Sequence, residues 1–133
     1  MSTEELMTYA ESHGHRIYYT DLQENKAMAL GIGCGHIVLS KTLAGREEKE
    51  ITAHELGHCE YGGTYNRYSP YELSSRAERR ANRWAYYKLV PPREIRAAFR
   101  KGIVEPWDLA EQFDVSCQFM SEAMKYYKSV GVI

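Results

Sequence analysis

The N-terminal part of the chain combines one helical repeat of apolar positions with three short stretches typical of strands. Ser2 or Thr3 can cap a helix whose apolar face continues until Gly14 ends it. Runs of apolar and aromatic residues between polar or glycine-containing turns predict strands. These strands are predicted at residues 16–20, 26–32 and 36–40. We therefore expect one helix followed by a small antiparallel sheet.

Helical patterning dominates the rest of the chain. A helix is predicted from about residue 46 to residue 61, because glutamates crowd its first turn, where the helix dipole is positive. Residues 64–75 lack apolar periodicity and are predicted to be a loop. A second long helix is predicted at residues 75–89, because Pro91 and Pro92 stop it. Three shorter helices are predicted at residues 93–101, 106–113 and 116–130.

These elements predict a single α+β domain over residues 1–133, with a sheet of about three antiparallel strands packed against the two long helices. Residues 1–103 would form the core of the domain. Residues 104–133 would form a helical tail like a helix-turn-helix. Asp114 occupies the turn of this tail, and aspartate tolerates the left-handed conformation better than most residues.

The composition of the chain argues against several classes of protein. The chain carries 17 basic and 18 acidic residues, which argues against a protein built to grip a phosphate backbone. Its three cysteines, Cys34, Cys59 and Cys117, form no CxxC pair and are expected to be reduced thiols. We see neither a signal segment nor an apolar run of bilayer length, so we expect a cytoplasmic protein that does not engage a membrane.

The chemistry is concentrated in the segment HELGH, residues 54–58. Residues four apart lie on one helix face, so His54 and His58 can bind the same metal ion. In this HExxH pattern the intervening Glu55 flanks the ion as a general base. Zinc suits imidazole ligands and lowers the pKa of a bound water to about 7, and Glu55 would move that water's proton to the leaving amine. The alternative is an ordinary surface helix with two hydrogen-bonded histidines.

A catalytic zinc site needs a third protein ligand, and Glu78 is the favoured candidate. It lies on the next predicted helix, whose rigidity suits a metal ligand. Asn82 lies on the same helix face and could hydrogen-bond the second ring nitrogen of a histidine ligand. Glu78 could instead complete a capping box with Ser75. Other carboxylates that could replace it are Glu60, Glu72 and Glu94.

Four tyrosines between the two long helices could donate a hydrogen bond to a tetrahedral oxyanion, could form a lid, or could simply pack. They are Tyr61, Tyr65, Tyr68 and Tyr71. The tail offers little for reading DNA, because Gln118 is the only basic or amide residue in the first turns of its second helix. A structural or docking role is favoured for the tail, and direct nucleic-acid binding is not expected.

The segments HELGH and ERRANRWAYYKLVPP, the latter at residues 78–92, resemble the ImmA/IrrE family of metallopeptidases. The matching positions are His54, Glu55, His58, Glu78, Ala81, Asn82, Leu89 and Pro91. The resemblance implies a zinc-dependent regulatory peptidase of a bacterium, phage or mobile element. Its substrate would be a partner transcriptional repressor, typically a small helix-turn-helix protein.

The sequence therefore predicts a zinc-dependent endopeptidase that cleaves a specific protein partner. The strand at residues 36–40 is expected to offer a sheet edge to which an extended substrate adds. Two alternatives stay open. The chain could be a non-catalytic zinc-containing module that binds protein or DNA as a regulator, or it could be a toxin-like peptidase with a different cellular target.

Overall fold

The computed structural model describes residues 1–22, 27–30, 35–61 and 71–133, with the backbone alone for residues 27–30, 61 and 71–74. The described part is mostly helical with one small sheet, which confirms the α+β class. In chain order the elements are α1 (Thr3–Ser12), β1 (Arg16–Thr20), β2 (Ala27–Leu30), β3 (His36–Ser40), α2 (Gly45–Tyr61), α3 (Tyr71–Leu89), α4 (Pro92–Arg100), α5 (Pro106–Phe113) and α6 (Cys117–Val130).

The sheet has the strand order β1–β3–β2. β2 pairs with β3 in antiparallel fashion, but β1 pairs with β3 in parallel, so the prediction of a wholly antiparallel sheet is wrong. β3 takes the centre because Ile37 and Leu39 are fully buried, whereas β1 is largely exposed. The expectation that β3 offers a free edge is also wrong, since both of its edges are paired.

α3 begins at Tyr71, four residues earlier than predicted. Proline is favoured at the start of a helix, and Pro70 directly precedes Tyr71 in the sequence. The predicted loop at residues 64–75 is therefore wrong for residues 71–75, which belong to α3. Because Ser75 and Glu78 lie inside α3, the capping-box alternative for Glu78 is wrong.

The tail is attached to the start of α2 by polar contacts. The Lys49 side chain is only 2 % exposed, and its Nζ donates to the carbonyl oxygens of Met1 and Phe113, each at 3.1 Å. Arg46 Nε donates to Asp114 Oδ1 at 2.9 Å. Asp114 caps α5 with φ 55° and ψ 51°, so the left-handed turn expected at this residue is confirmed. These contacts join the N-terminus, α2 and the turn between α5 and α6.

The cysteines differ from expectation at one position. Cys59, which is buried near the end of α2, is disulfide-bonded, so the prediction of a reduced thiol is wrong there. Cys117 is an exposed free thiol. Disulfides are uncommon in a reducing cytoplasm, so this bond does not support the predicted location.

In the described ranges, no helix combines the length and apolar character that crossing a membrane requires.

Candidate metal centre

Two histidines of α2 converge on one point. His54 and His58 are four residues apart, so their side chains leave the helix on the same face. Their Nε2 atoms are 3.2 Å apart, and the ring planes meet at 85°. Both side chains are largely shielded from water, at 24 % and 12 % exposure. α2 therefore presents two imidazole nitrogens to the same small volume.

Glu78 reaches that volume from α3. Its Oε2 lies 2.8 Å from Nε2 of His54, and its Oε1 lies 3.0 Å from Nε2 of His58. Within the described residues, these three side chains form a group whose donor atoms all lie within 4.8 Å of one another. One carboxylate thus faces both imidazoles, so a single cation can bind to all three side chains.

Close packing of α2 against α3 allows Glu78 to reach the histidines. Gly57 lies between the two histidines in sequence and sits directly against the backbone of Ala81. Ala81 is fully buried and follows Glu78 by three residues on α3. The glycine of HELGH therefore has a packing role in addition to the chemistry of its neighbours.

Asn82 orients His54. The ring Nδ1 of His54 lies 2.8 Å from Asn82 Oδ1. The amide oxygen can only accept a hydrogen bond, so Nδ1 is the protonated nitrogen that donates to it. In the neutral ring, Nε2 then keeps its lone pair, and this is the atom that faces Glu78 and His58. The contact holds the imidazole in the tautomer that a metal requires.

The donor set fits zinc. Tetrahedral zinc with bonds of roughly 2.0–2.1 Å places its ligand atoms about 3.3 Å apart. The two Nε2 atoms are 3.2 Å apart, close to that spacing. One oxygen of Glu78 lies 2.8 Å from Nε2 of His54, and its other oxygen lies 3.0 Å from Nε2 of His58. Two imidazoles and one carboxylate also leave a fourth position open for water, as in catalytic sites.

The pKa values of His54 and Glu55 are both raised, but the physical causes differ. Burial lowers the pKa of His54, but the hydrogen bond and charge of Glu78 outweigh it and raise that pKa above its usual value. The pKa of Glu55 is also raised, chiefly by burial. The charges of His54 and His58 oppose that rise, whereas the charge of Glu78 adds to it. Glu55 is thus a half-buried carboxyl group that binds a proton more readily than an exposed one.

Two of the other carboxylates considered as the third metal ligand lie in different surroundings. Glu60 Oε1 lies 3.3 Å from Tyr9 Oη and 3.1 Å from His15 Nε2, on the side of α2 that faces α1. Glu94 is exposed on α4 and lines a separate cavity near the N-terminus. The side chain of Glu72 lies outside the described residues.

None of the four candidate tyrosines has a described side chain. Tyr65 and Tyr68 are outside the described residues altogether, and Tyr61 and Tyr71 are described by backbone alone. Their proposed roles therefore remain predictions.

A cavity that the sequence did not predict lies beside His54. Tyr86 and Phe119 line it together with His54 and Glu55. One signal was present, because Tyr86 follows Asn82 by four residues and so shares its face of α3. Nothing in the sequence pointed to Phe119, because it comes from α6, far along the chain.

Comparison with protein families finds a match over most of the chain. Residues 10–125 match the M78 peptidase family, described as the IrrE N-terminal-like domain. This range contains all of the site residues described above. A comparison with curated proteins found no match.

Proposed function

The chain belongs to the IrrE-like family of metallopeptidases, and from this premise we propose that it is a zinc-dependent endopeptidase that hydrolyses a peptide bond in a specific protein partner. One observation carries the proposal: His54, His58 and Glu78 present their donor atoms to a common point, and Glu55 adjoins the first of them. A module that only binds zinc has no need of a half-buried carboxyl group at that position.

In this proposal His54, His58 and Glu78 hold the ion, and Asn82 fixes the orientation of His54. The zinc ion, when bound, supplies Lewis acidity and lowers the pKa of a coordinated water. Glu55 then moves the protons. Its carboxylate accepts one from the attacking water as the new carbon–oxygen bond forms. It returns that proton to the departing amide nitrogen as the carbon–nitrogen bond breaks.

The half-buried position of Glu55 suits it to both proton transfers. A general base works best when its pKa approaches the operating pH, because it can then both accept and release the proton. Burial raises the pKa of Glu55 in that direction. The donor to the oxyanion is unassigned, and Tyr61, Tyr65, Tyr68 and Tyr71 remain the proposed candidates.

The proposed substrate is a helix-turn-helix transcriptional repressor of a phage or mobile element. The ImmA/IrrE resemblance supports this choice, because regulatory peptidases of that family release genes silenced by such repressors. A different cellular protein would make the chain toxin-like, and identifying the cleaved protein distinguishes the two.

The decisive experiment compares protein N-termini by mass spectrometry in the native host. Three proteins are expressed: wild type, Glu55→Gln, and Glu47→Gln as a control that changes an exposed carboxylate in the first turn of the same helix. We expect the same new N-terminus with wild type and Glu47→Gln, and none with Glu55→Gln. Zinc content, measured in parallel, should be equal in all three.

Two outcomes would count against the enzyme. New N-termini that persist in Glu55→Gln would remove Glu55 from the mechanism. A complete absence of new N-termini, together with a biological effect that Glu55→Gln retains, would favour a zinc-containing binding module.

A further inference from the structure

A cavity of about 330 Å³ opens beside the candidate metal centre. His54 and Glu55 form part of its wall, so a side chain that fills it belongs to a residue adjacent to the bond under attack. The remaining wall comes from α2, α3 and α6. The fold thus places a cavity directly against the candidate metal centre.

Most of the wall is apolar. Ile51, Ala85, Tyr86 and Phe119 contribute to it. The rings of Tyr86 and Phe119 pack edge to face, with centroids 5.4 Å apart at 70°. Tyr86 is only 8 % exposed, so packing holds it in place. These surfaces favour the methylene groups of a long side chain.

Two carboxylates, Glu50 and Glu122, also line the cavity. Glu50 accepts a hydrogen bond from Ser116 Oγ at 2.6 Å, and Glu122 accepts one from Gln118 Nε2 at 3.3 Å. Glu122 and Tyr86 line the same cavity, and the charge of Glu122 adds to the rise that burial causes in the pKa of Tyr86.

The described residues place little positive charge beside these carboxylates. In the described part of the chain neither forms an ion pair with Lys or Arg, and no Lys or Arg lines the cavity. Lys49 lies near enough to Glu50 for their charges to interact, but its ammonium group donates to two backbone carbonyls. The described walls of the cavity therefore combine apolar surface with two carboxylates that form no ion pair with a described Lys or Arg.

We propose that this cavity selects a lysine or arginine side chain of the substrate, at a position next to the cleaved bond. The aliphatic stem lies along the apolar walls, and the cationic group reaches Glu50 and Glu122. An acidic substrate side chain is repelled by the same two carboxylates. The proposal rests on the proposed peptidase function, but the cavity's preference can be measured without catalysis.

The binding arm uses the zinc-loaded wild-type chain and three probes, the N-acetyl methylamides of lysine, norleucine and glutamate. Ring signals of Phe119 and Tyr86 report binding in an NMR titration. Norleucine has an uncharged chain of methylene groups, so its comparison with lysine isolates the charge. We expect lysine to bind about two- to fivefold more tightly than norleucine, as for a partly exposed ion pair. Glutamate should bind most weakly.

Charge variants identify the responsible residue. Glu122 is exposed on α6, so its substitution leaves the fold intact. Glu122→Gln should reduce the preference for lysine over norleucine, and Glu122→Lys should make glutamate the preferred probe. Glu105→Lys is the matched control, because Glu105 is exposed and does not line the cavity. It should bind the probes as wild type does.

The cleavage arm exposes a random peptide library to the same proteins and determines the residues flanking each cut. Enrichment of Lys or Arg at one flanking position, lost in Glu122→Lys, supports the proposal. Cleavage without that enrichment overturns it and leaves the peptidase function standing. Lysine-selective binding without any cleavage supports the pocket and counts against the peptidase. Equal binding of lysine and norleucine, or no shift with any probe, overturns the proposal.

Discussion

Gly57 of α2 and Ala81 of α3 are in backbone contact. A Cβ atom at position 57 would lie 2.7 Å from the carbonyl oxygen of Ala81 and 2.8 Å from its Cα. Real Cβ atoms do not approach other atoms so closely, and the opposing atoms belong to the backbone, which cannot rotate aside. Glu78 lies one turn before Ala81 on α3, so this contact sets the distance between the carboxylate and the two histidines.

Replacing this glycine should therefore weaken the metal centre. Gly57→Ala forces α3 away from α2 and moves Glu78 from its position beside the histidines. We expect zinc affinity to fall by about tenfold or more, in the range seen when support for a ligand is lost. We also expect a loss of about 1–3 kcal/mol in the free energy of unfolding, as for other overpacked contacts. Chelator competition and urea denaturation measure the two effects.

A second substitution tests whether the backbone contact is the reason for the expected loss of zinc affinity. Ala81→Gly removes only a methyl group, whereas the close atoms are backbone atoms. It should therefore fail to restore zinc binding to Gly57→Ala. Full restoration, or wild-type affinity in Gly57→Ala alone, would show that the backbone contact does not control the site.

Asn82 should affect metal affinity through His54. Asn82→Ala removes the acceptor of the Nδ1 hydrogen bond and frees the ring to rotate or change tautomer. We expect zinc to bind about 10- to 100-fold more weakly. Asn82→Asp keeps an acceptor and should lose less. Arg83→Ala changes the adjacent exposed residue and should bind zinc as wild type does. Equal affinities in all three variants would exclude an orienting role for Asn82.

Metal removal should destabilise the fold, because the ion would join α2 to α3. A ligand at 100 times its Kd stabilises a protein by about 2.7 kcal/mol. We therefore expect EDTA to lower the Tm of the zinc-loaded protein by roughly 10 °C. Glu78→Ala should lose most of this response, whereas Glu60→Ala should keep it, since Glu60 bonds to Tyr9 and His15 instead. A Tm insensitive to EDTA in wild type would argue against a metal bridge between the helices.

Acid should weaken the attachment of the tail to α2. The hydrogen bond from Arg46 and then the charge of Lys49 lower the pKa of Asp114 below its ordinary 3.8. A depressed folded-state pKa gives stability that is present above the unfolded-state value and is lost as the pH falls through the folded-state value. Asp114→Asn keeps a residue that tolerates the left-handed turn but removes the charge.

We expect Asp114→Asn to have a lower Tm than wild type at pH 7, and the difference should shrink as the pH falls below 3.8. Thermal unfolding followed by circular dichroism over this range is the measurement. Asp21→Asn, which changes an exposed aspartate after β1, should follow wild type at every pH. A Tm difference that stays constant down to pH 2 would assign the effect of Asp114 to the backbone turn rather than to its charge.

Local periodicity explains which predictions succeeded. The placement of His54 and His58 on one face follows from 3.6 residues per turn, whatever surrounds the helix. The same rule puts Glu78 and Asn82 on one face of α3. The left-handed turn at Asp114 was also predictable, because it depends on one residue's backbone preference. Such features depend on residues within a turn or two of each other, so the sequence contains them directly.

The features that the sequence did not predict depend on contacts between distant segments. The burial of Ile37 and Leu39 accounts for the central position of β3. Alternation within a strand specifies neither its neighbour nor its direction, so the parallel pairing of β1 with β3 could not be predicted from the sequence. The cavity beside His54 exists because α6 brings Phe119 to α3.

The sequence by itself determined the face that carries the two histidines and the glutamate between them, because a helix repeats every 3.6 residues in any fold. It left four carboxylates as candidates for the third donor. Tertiary structure decided that Glu78 faces the histidines, because Gly57 and Ala81 let two helix backbones touch at that level. That choice depends on the distance between two helices, and no local pattern encodes such a distance.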